Sequence, residues 1–143
     1  MEVEAFNYKM NNKIESYLSQ LAKIPALNNE EFYDYINKLD VSLPNDYIEF
    51  MRECNGGEGP IGENGYLILW LINELLENNL DYNIESFASG FFVFGKDAAN
   101  TAFAFEKKTG KIYEFGFMAD LSTDPAKYCG DNFKDFLEYL YKL

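Results

Sequence analysis

Residues 43–65 read LPNDYIEFMRECNGGEGPIGENG, and YLILWLI follows at 66–72. The first half carries a helical signature: Tyr47, Phe50, Met51 and Cys54 fall on one stripe, three and four residues apart. Pro44 suits the first turn of that helix, where its missing N–H costs nothing. Asn55-Gly56-Gly57 stops it, because Gly and, to a lesser extent, Asn accept the left-handed conformation that a helix end requires. The continuous apolar run Tyr66–Ile72 then reads as a buried strand. We therefore expect a helix to Cys54, a glycine-rich loop and a strand, in that order.

That order decides what the glycines do. Gly57, Gly59 and Gly62 fit G-x-G-x-x-G, the written form of a dinucleotide-binding loop. Such a loop follows a strand and opens a helix, so that free N–H groups and the positive end of the helix dipole meet phosphate. Here the glycines follow a helix and precede a strand. They face its C-terminal carbonyls, which carry roughly half a negative charge. Glu53, Glu58 and Glu63 add negative charge, and Pro60 removes a donor. Phosphate is repelled, and we expect a helix stop and a loop with no nucleotide.

Outward from this centre the chain alternates clear signals. Met10–Lys23 reads as a helix, with Ile14, Tyr17, Leu18 and Leu21 on one face and Pro25 after its end. Asn28 with Glu31 resembles a capping box before a helix bearing Phe32, Tyr35, Ile36 and Leu39. Asn73–Leu80 reads as a short helix. Phe91–Phe94, Thr101–Glu106 and Lys111–Phe117 read as strands, the last two joined by the tight turn KKTGK. In these strands Phe91 and Val93 face one way, Phe92 and Phe94 the other, and Phe103 and Phe105 share a face. We read them as core beneath the helices rather than as a peptide groove, and Trp70 likewise. A last helix starts near Asp131, which can cap it, and turns Phe133, Phe136, Leu137 and Leu140 inward. The expected class is α+β: one domain with an antiparallel meander of about four strands packed with helices.

Composition bounds the function. The 143 residues are 48% hydrophobic and 17% aromatic, a globular composition for one domain. Twenty-four acidic residues face twelve basic ones, for a net charge of −12. Nucleic acid and anionic membrane surfaces are disfavoured, whereas a basic protein is steered in. The faint echo of an RNA-stacking strand in SGFFVF, residues 89–94, lacks the basic residue that would hold phosphate. There is no His, which removes Ser-His-Asp and Cys-His catalysis and His metal ligands. Cys54 and Cys129 make no C-x-x-C or zinc spacing, and no acidic loop reads D-x-D-x-D-G. We expect no metal and no cofactor. MEVEAFNYK is not a signal peptide, and no apolar run is long enough to span a bilayer, so the expectation is a cytoplasmic protein.

Read with its flanks, the opening stretch resembles the core of the SUKH superfamily (the Smi/Knr-type domain). The matching positions are Leu43, Pro44, Asp46, Tyr47, Phe50, Asn55, Gly56 and Gly57. LILWLINEL is similar to the family's strand, tryptophan (Trp70) and short helix. FFVFGKDAANTAFAFEKKTGKIYEF is similar to its meander, with a turn at Phe94, Gly95 and Asp97. NFKDFLEYL is similar to its terminal helix. GKDAANT departs from the pattern in lacking a glycine after the acidic residue. The resemblance spans residues 30–143 and leaves 1–29 as an N-terminal helical extension of a single domain.

The resemblance implies a mixed α+β fold and mainly structural roles for these motif positions. It implies a non-enzymatic binding protein. Bacterial members are commonly immunity proteins that bind a cognate polymorphic toxin, often a nuclease; other members are regulatory or scaffold domains. An acidic inhibitor suits the basic face with which a nuclease holds nucleic acid. Candidate partner-binding charges are Glu58, Glu63, Glu74, Glu77, Asp81, Asp120 and Asp124, with Tyr66, Tyr82 and Tyr128 as aromatic anchors. The remote enzymatic alternative is a carboxylate hydrolase, for which Asp120 and Asp124 are the nearest pair.

Overall fold

The computed structural model describes residues 13–143. Residues 13–17 are helical, and the chain then runs β1 (Ala22–Pro25), α1 (Asn29–Asn37), α2 (Asn45–Glu53), β2 (Cys54–Ile61) and β3 (Gly65–Leu69). A 3-10 turn (Ile72–Glu74) leads to α3 (Leu75–Asp81) and α4 (Ile84–Phe87). Then come β4 (Phe91–Lys96), β5 (Thr101–Glu106), β6 (Ile112–Gly116), β7 (Lys127–Gly130) and α5 (Phe133–Tyr141). The strands form one seven-stranded sheet in sequence order, every neighbour antiparallel. The α+β class and the meander are as expected; the strand number is seven rather than about four.

The three added strands have physical reasons. The helix expected over Met10–Lys23 gives way after residue 17 to a turn and then β1, with Met10 itself outside the described residues. Ile14, Leu18 and Leu21 are buried, so their spacing marks an inward face, but it outruns the helix. The expected glycine loop is instead β2. Helix α2 ends at Glu53 and Cys54 is already extended, so helix passes directly into strand. Gly56 has φ +78°, which a side chain would resist, and a Cβ on it would stand 2.4 Å from the Leu69 carbonyl oxygen. A Cβ on Gly57 would stand 2.4 Å from the Ala22 oxygen. These glycines let three backbones approach closely. Pro60 pairs with Tyr66 on β3 and lies beyond the last β1 partner, where its missing donor costs no ladder bond. The third addition, β7, is a four-residue edge strand.

The strand expected over Tyr66–Ile72 stops at Leu69, and Trp70 donates its N–H to the Phe94 carbonyl at 3.0 Å. Asn28 caps α1 by accepting from the Glu31 N–H at 2.9 Å. Asn132, rather than Asp131, caps α5 through the Asp135 N–H. Asp131 instead accepts from the Tyr128 hydroxyl.

Helices cover both faces of the sheet. On one face Tyr47 of α2 meets Phe94, Phe105 and Phe133, while Phe136 of α5 meets Phe94 and Phe103. On the other, Phe87 of α4 meets Phe115, which packs on Phe91. Each fully buried aromatic of this kind contributes about 1.5–3 kcal/mol. The aromatic strands are therefore core, as expected, and Trp70 is 7% exposed.

Candidate binding face

The 3-10 turn and α3 position the face. Buried Asn55 holds the start of the turn: its Oδ1 accepts from the Ile72 N–H at 2.8 Å and its Nδ2 donates to Asn73 Oδ1 at 2.9 Å. Asn79 pins α3 to β4. Its Oδ1 accepts from the Val93 N–H at 2.8 Å, and its Nδ2 donates to the Val93 carbonyl at 2.9 Å. One amide thus serves both backbone groups of a strand residue that β3 is too short to reach. With Leu75 buried and Asn79 occupied, α3 turns Leu76, Glu77, Leu80 and Asp81 outward, Leu80 at 75% exposure.

Tyr82 follows α3, and Asn83 then takes a left-handed conformation that redirects the chain into α4. The Tyr82 ring stacks on Phe117, centroids 4.5 Å apart, and on Trp70 at 5.7 Å. Trp70 and Phe117 lie 6.4 Å apart. Phe117 is held where β6 ends by its N–H bond to the Asn100 carbonyl. Met118 beside it is 93% exposed. The chain continues into a compact turn in which Asp120 accepts from the Ser122 N–H and hydroxyl, at 3.0 and 2.6 Å. Those bonds hold the Asp120 carboxyl below its usual range, so it is charged at neutral pH. The Asp124 N–H closes the turn on the Asp120 carbonyl.

The structure therefore gathers part of the predicted set. Glu74, Glu77, Asp81 and Tyr82 lie along the 3-10 turn and α3, and the Tyr82–Phe117 contact ties them to the segment bearing Asp120 and Asp124. Among the described residues none of these five carboxylates forms an ion pair. From Glu53 to Gly95 the sequence has no lysine or arginine at all.

The other candidates sit elsewhere. Glu58 of β2 accepts from the Tyr66 hydroxyl of β3 at 2.9 Å, and that bond raises the Tyr66 pKa. Glu63, in the β2–β3 turn, lines a cleft of about 640 Å³ with Ser16, Tyr17, Tyr141 and Lys142. Tyr128, on β7, donates to Asp131 at 2.6 Å, which pushes its pKa up to about 12. Sequence reasoning missed Leu76, Leu80, Phe117 and Met118. The available signal was Leu75-Leu76 with Leu80, which puts leucines on two faces of a helix when only one can be buried.

Burial pushes the thiol of Cys54 up to about 11 and that of Cys129 up to about 12, so neither is a thiolate at neutral pH. Among the described residues no three His, Cys, Asp or Glu side chains are grouped to hold a metal, and no helix is long and apolar enough to cross a membrane.

Residues 26–139 match the SMI1 / KNR4 family (SUKH-1). The chain belongs to that family. No match was found among curated proteins. In this SUKH-1 chain the motif positions have visible structural work. Asp46 accepts from the N–H groups of Phe133 and Lys134 at 3.1 and 2.9 Å, placing a carboxylate on the N-terminus of α5. Tyr47 fills the core, Phe50 packs on Phe133, and Leu43 lies against the cluster. Pro44 directly precedes α2 in an extended conformation, one residue earlier than a first-turn position. A Cβ on Gly95 would stand 2.6 Å from the Ile68 oxygen. Asp97 accepts from the N–H groups of Ala99 and Thr101 at 2.8 and 3.0 Å, closing the GKDAANT turn without the glycine.

Proposed function

We propose that this SUKH-1 protein is a non-enzymatic binding protein that neutralises a cognate polymorphic toxin, a nuclease domain with a basic face, in the cytoplasm. The observation that supports the reading is that the Tyr82–Phe117 contact joins two segments, 74–82 and 117–124, that both carry exposed apolar side chains and carboxylates without ion pairs among the described residues. Leu80, Tyr82 and Met118 supply the desolvated centre that an interface needs. Glu74, Glu77, Asp81, Asp120 and Asp124 supply a charge that steers a basic partner and rejects acidic ones. A toxin that holds polyanionic substrate presents the complementary charge.

The test is a pull-down of the full chain against the products of neighbouring genes, followed by affinity at low and physiological salt. The expected result is one tight 1:1 complex with a basic domain, weakening with salt, and protection of cells from that domain. Capture of a housekeeping protein instead would favour a regulatory or scaffold role. A toxin captured without loss of its activity would overturn neutralisation.

A further inference from the structure

We propose that the Trp70–Tyr82–Phe117 stack seats an arginine side chain of the partner, its guanidinium laid on Tyr82 with Asp81 and Glu77 as counter-charges. This rests on the reading that the face meets a basic protein, and adds the group that is recognised.

Three observations converge. Exposure falls from Tyr82 at 44% through half-buried Phe117 to Trp70 at 7%, so Tyr82 is the outer ring. The three planes lie within 18–29° of one another, so the Tyr82 ring is backed by near-parallel rings. Second, the charges of α3 run against its own stability. Glu77 and Asp81 are like charges four residues apart, Asp81 sits at the negative end of the helix dipole, and no basic residue occupies the last turn. Among the described residues neither carboxylate has an ion pair, and Asp81 directly precedes Tyr82 in the chain. Third, Leu80 and Met118 leave apolar surface to exclude water around such a contact.

Arginine fits these features together. Its planar guanidinium stacks on an aromatic face and bonds a carboxylate along its edge at the same time. A lysine ammonium is a strongly hydrated point charge and uses only the carboxylates. An uncharged apolar plug leaves the carboxylates uncompensated.

The probe is a pair of peptides, Ac-Leu-Arg-Arg-Leu-NH2 and Ac-Leu-Lys-Lys-Leu-NH2, titrated into the 15N-labelled full chain at low salt. The arginine peptide is expected to shift the Trp70 indole N–H and the Tyr82 and Phe117 amides saturably, binding about three-fold or more tightly than the lysine peptide. Tyr82→Leu should abolish that preference and Tyr82→Phe restore it. Asp81→Asn, at an exposed helix end, should weaken both peptides and leave the fold intact. Equal affinities, shifts centred on Glu58 and Tyr66 or beside Glu63, no binding of either peptide, or a preference that survives Tyr82→Leu would each overturn the seat. The two readings fail separately. A toxin captured equally by wild type and Tyr82→Leu removes the arginine seat alone. Arginine-selective binding with no toxin captured removes the toxin reading alone.

Discussion

Asp46 and Asn55 each join separate elements, and each does so with a buried or half-buried side chain whose polar atoms all have a partner. Tyr47, beside Asp46, is different. Its ring is fully buried among Phe94, Phe105 and Phe133, yet among the described residues its hydroxyl has no hydrogen-bond partner, and burial raises its pKa. An unsatisfied buried hydroxyl costs about 1–3 kcal/mol, while the ring supplies the packing. Tyr47→Phe is therefore expected to stabilise the protein by about 1 kcal/mol. Urea unfolding would show the midpoint rising with an unchanged slope. A loss of that size would mean that the hydroxyl is bonded in solution. Tyr47→Ala, which empties the site, is expected to cost about 3–5 kcal/mol.

At the scale of elements, β2 shows where sequence legibility ends. Cys-Asn-Gly-Gly-Glu-Gly-Pro-Ile is poor in strand formers and reads as a loop by composition. It is a strand because β1 and β3 take its backbone on both sides, and only near-absent side chains let them close. Gly59 isolates that effect. Its φ is not left-handed, but a Cβ would stand 2.5 Å from the Gln20 carbonyl oxygen and 3.1 Å from the Leu21 Cα, both backbone atoms. Gly59→Ala should cost about 1–3 kcal/mol as a downward shift in melting temperature. An unchanged temperature would show that the segment leading into β1 yields easily. By contrast α2 and α5 were legible because their apolar periods match their buried faces, and β4 and β5 because their short apolar runs are buried on both faces of the sheet. The candidate face was half legible. Composition pointed to its carboxylates, but no local pattern says that Asn79 turns Leu80 outward or that Phe117 folds onto Tyr82. Helix α3 carries its own prediction: Asp81→Asn removes an unfavourable charge from a helix C-terminus. It should raise stability by roughly 0.3–1 kcal/mol in thermal unfolding while weakening partner binding. Destabilisation instead would mean that Asp81 is structural.

For the whole molecule the governing quantity is the net charge of −12. Two effects of salt on the free protein oppose each other. Salt weakens the surface ion pairs, such as Lys23–Glu15 and Lys142–Glu138, but exposed pairs are worth only about 0–1 kcal/mol each. Salt also screens repulsion among the surplus carboxylates, which acts against the compact state at every acidic site together. The repulsion should dominate. Raising ionic strength from about 0.01 M to about 0.15 M shortens the Debye length from about 30 Å to about 8 Å, and the urea midpoint of the free protein should rise. The same change should slow association with a basic partner by about ten-fold or more, because steering acts over the distances that salt screens. Opposite signs in unfolding and stopped-flow association would tie the surplus charge to the encounter. A rising midpoint with a salt-independent association rate would leave the charge a matter of solubility, and the exposed apolar side chains would then have to account for recognition without it.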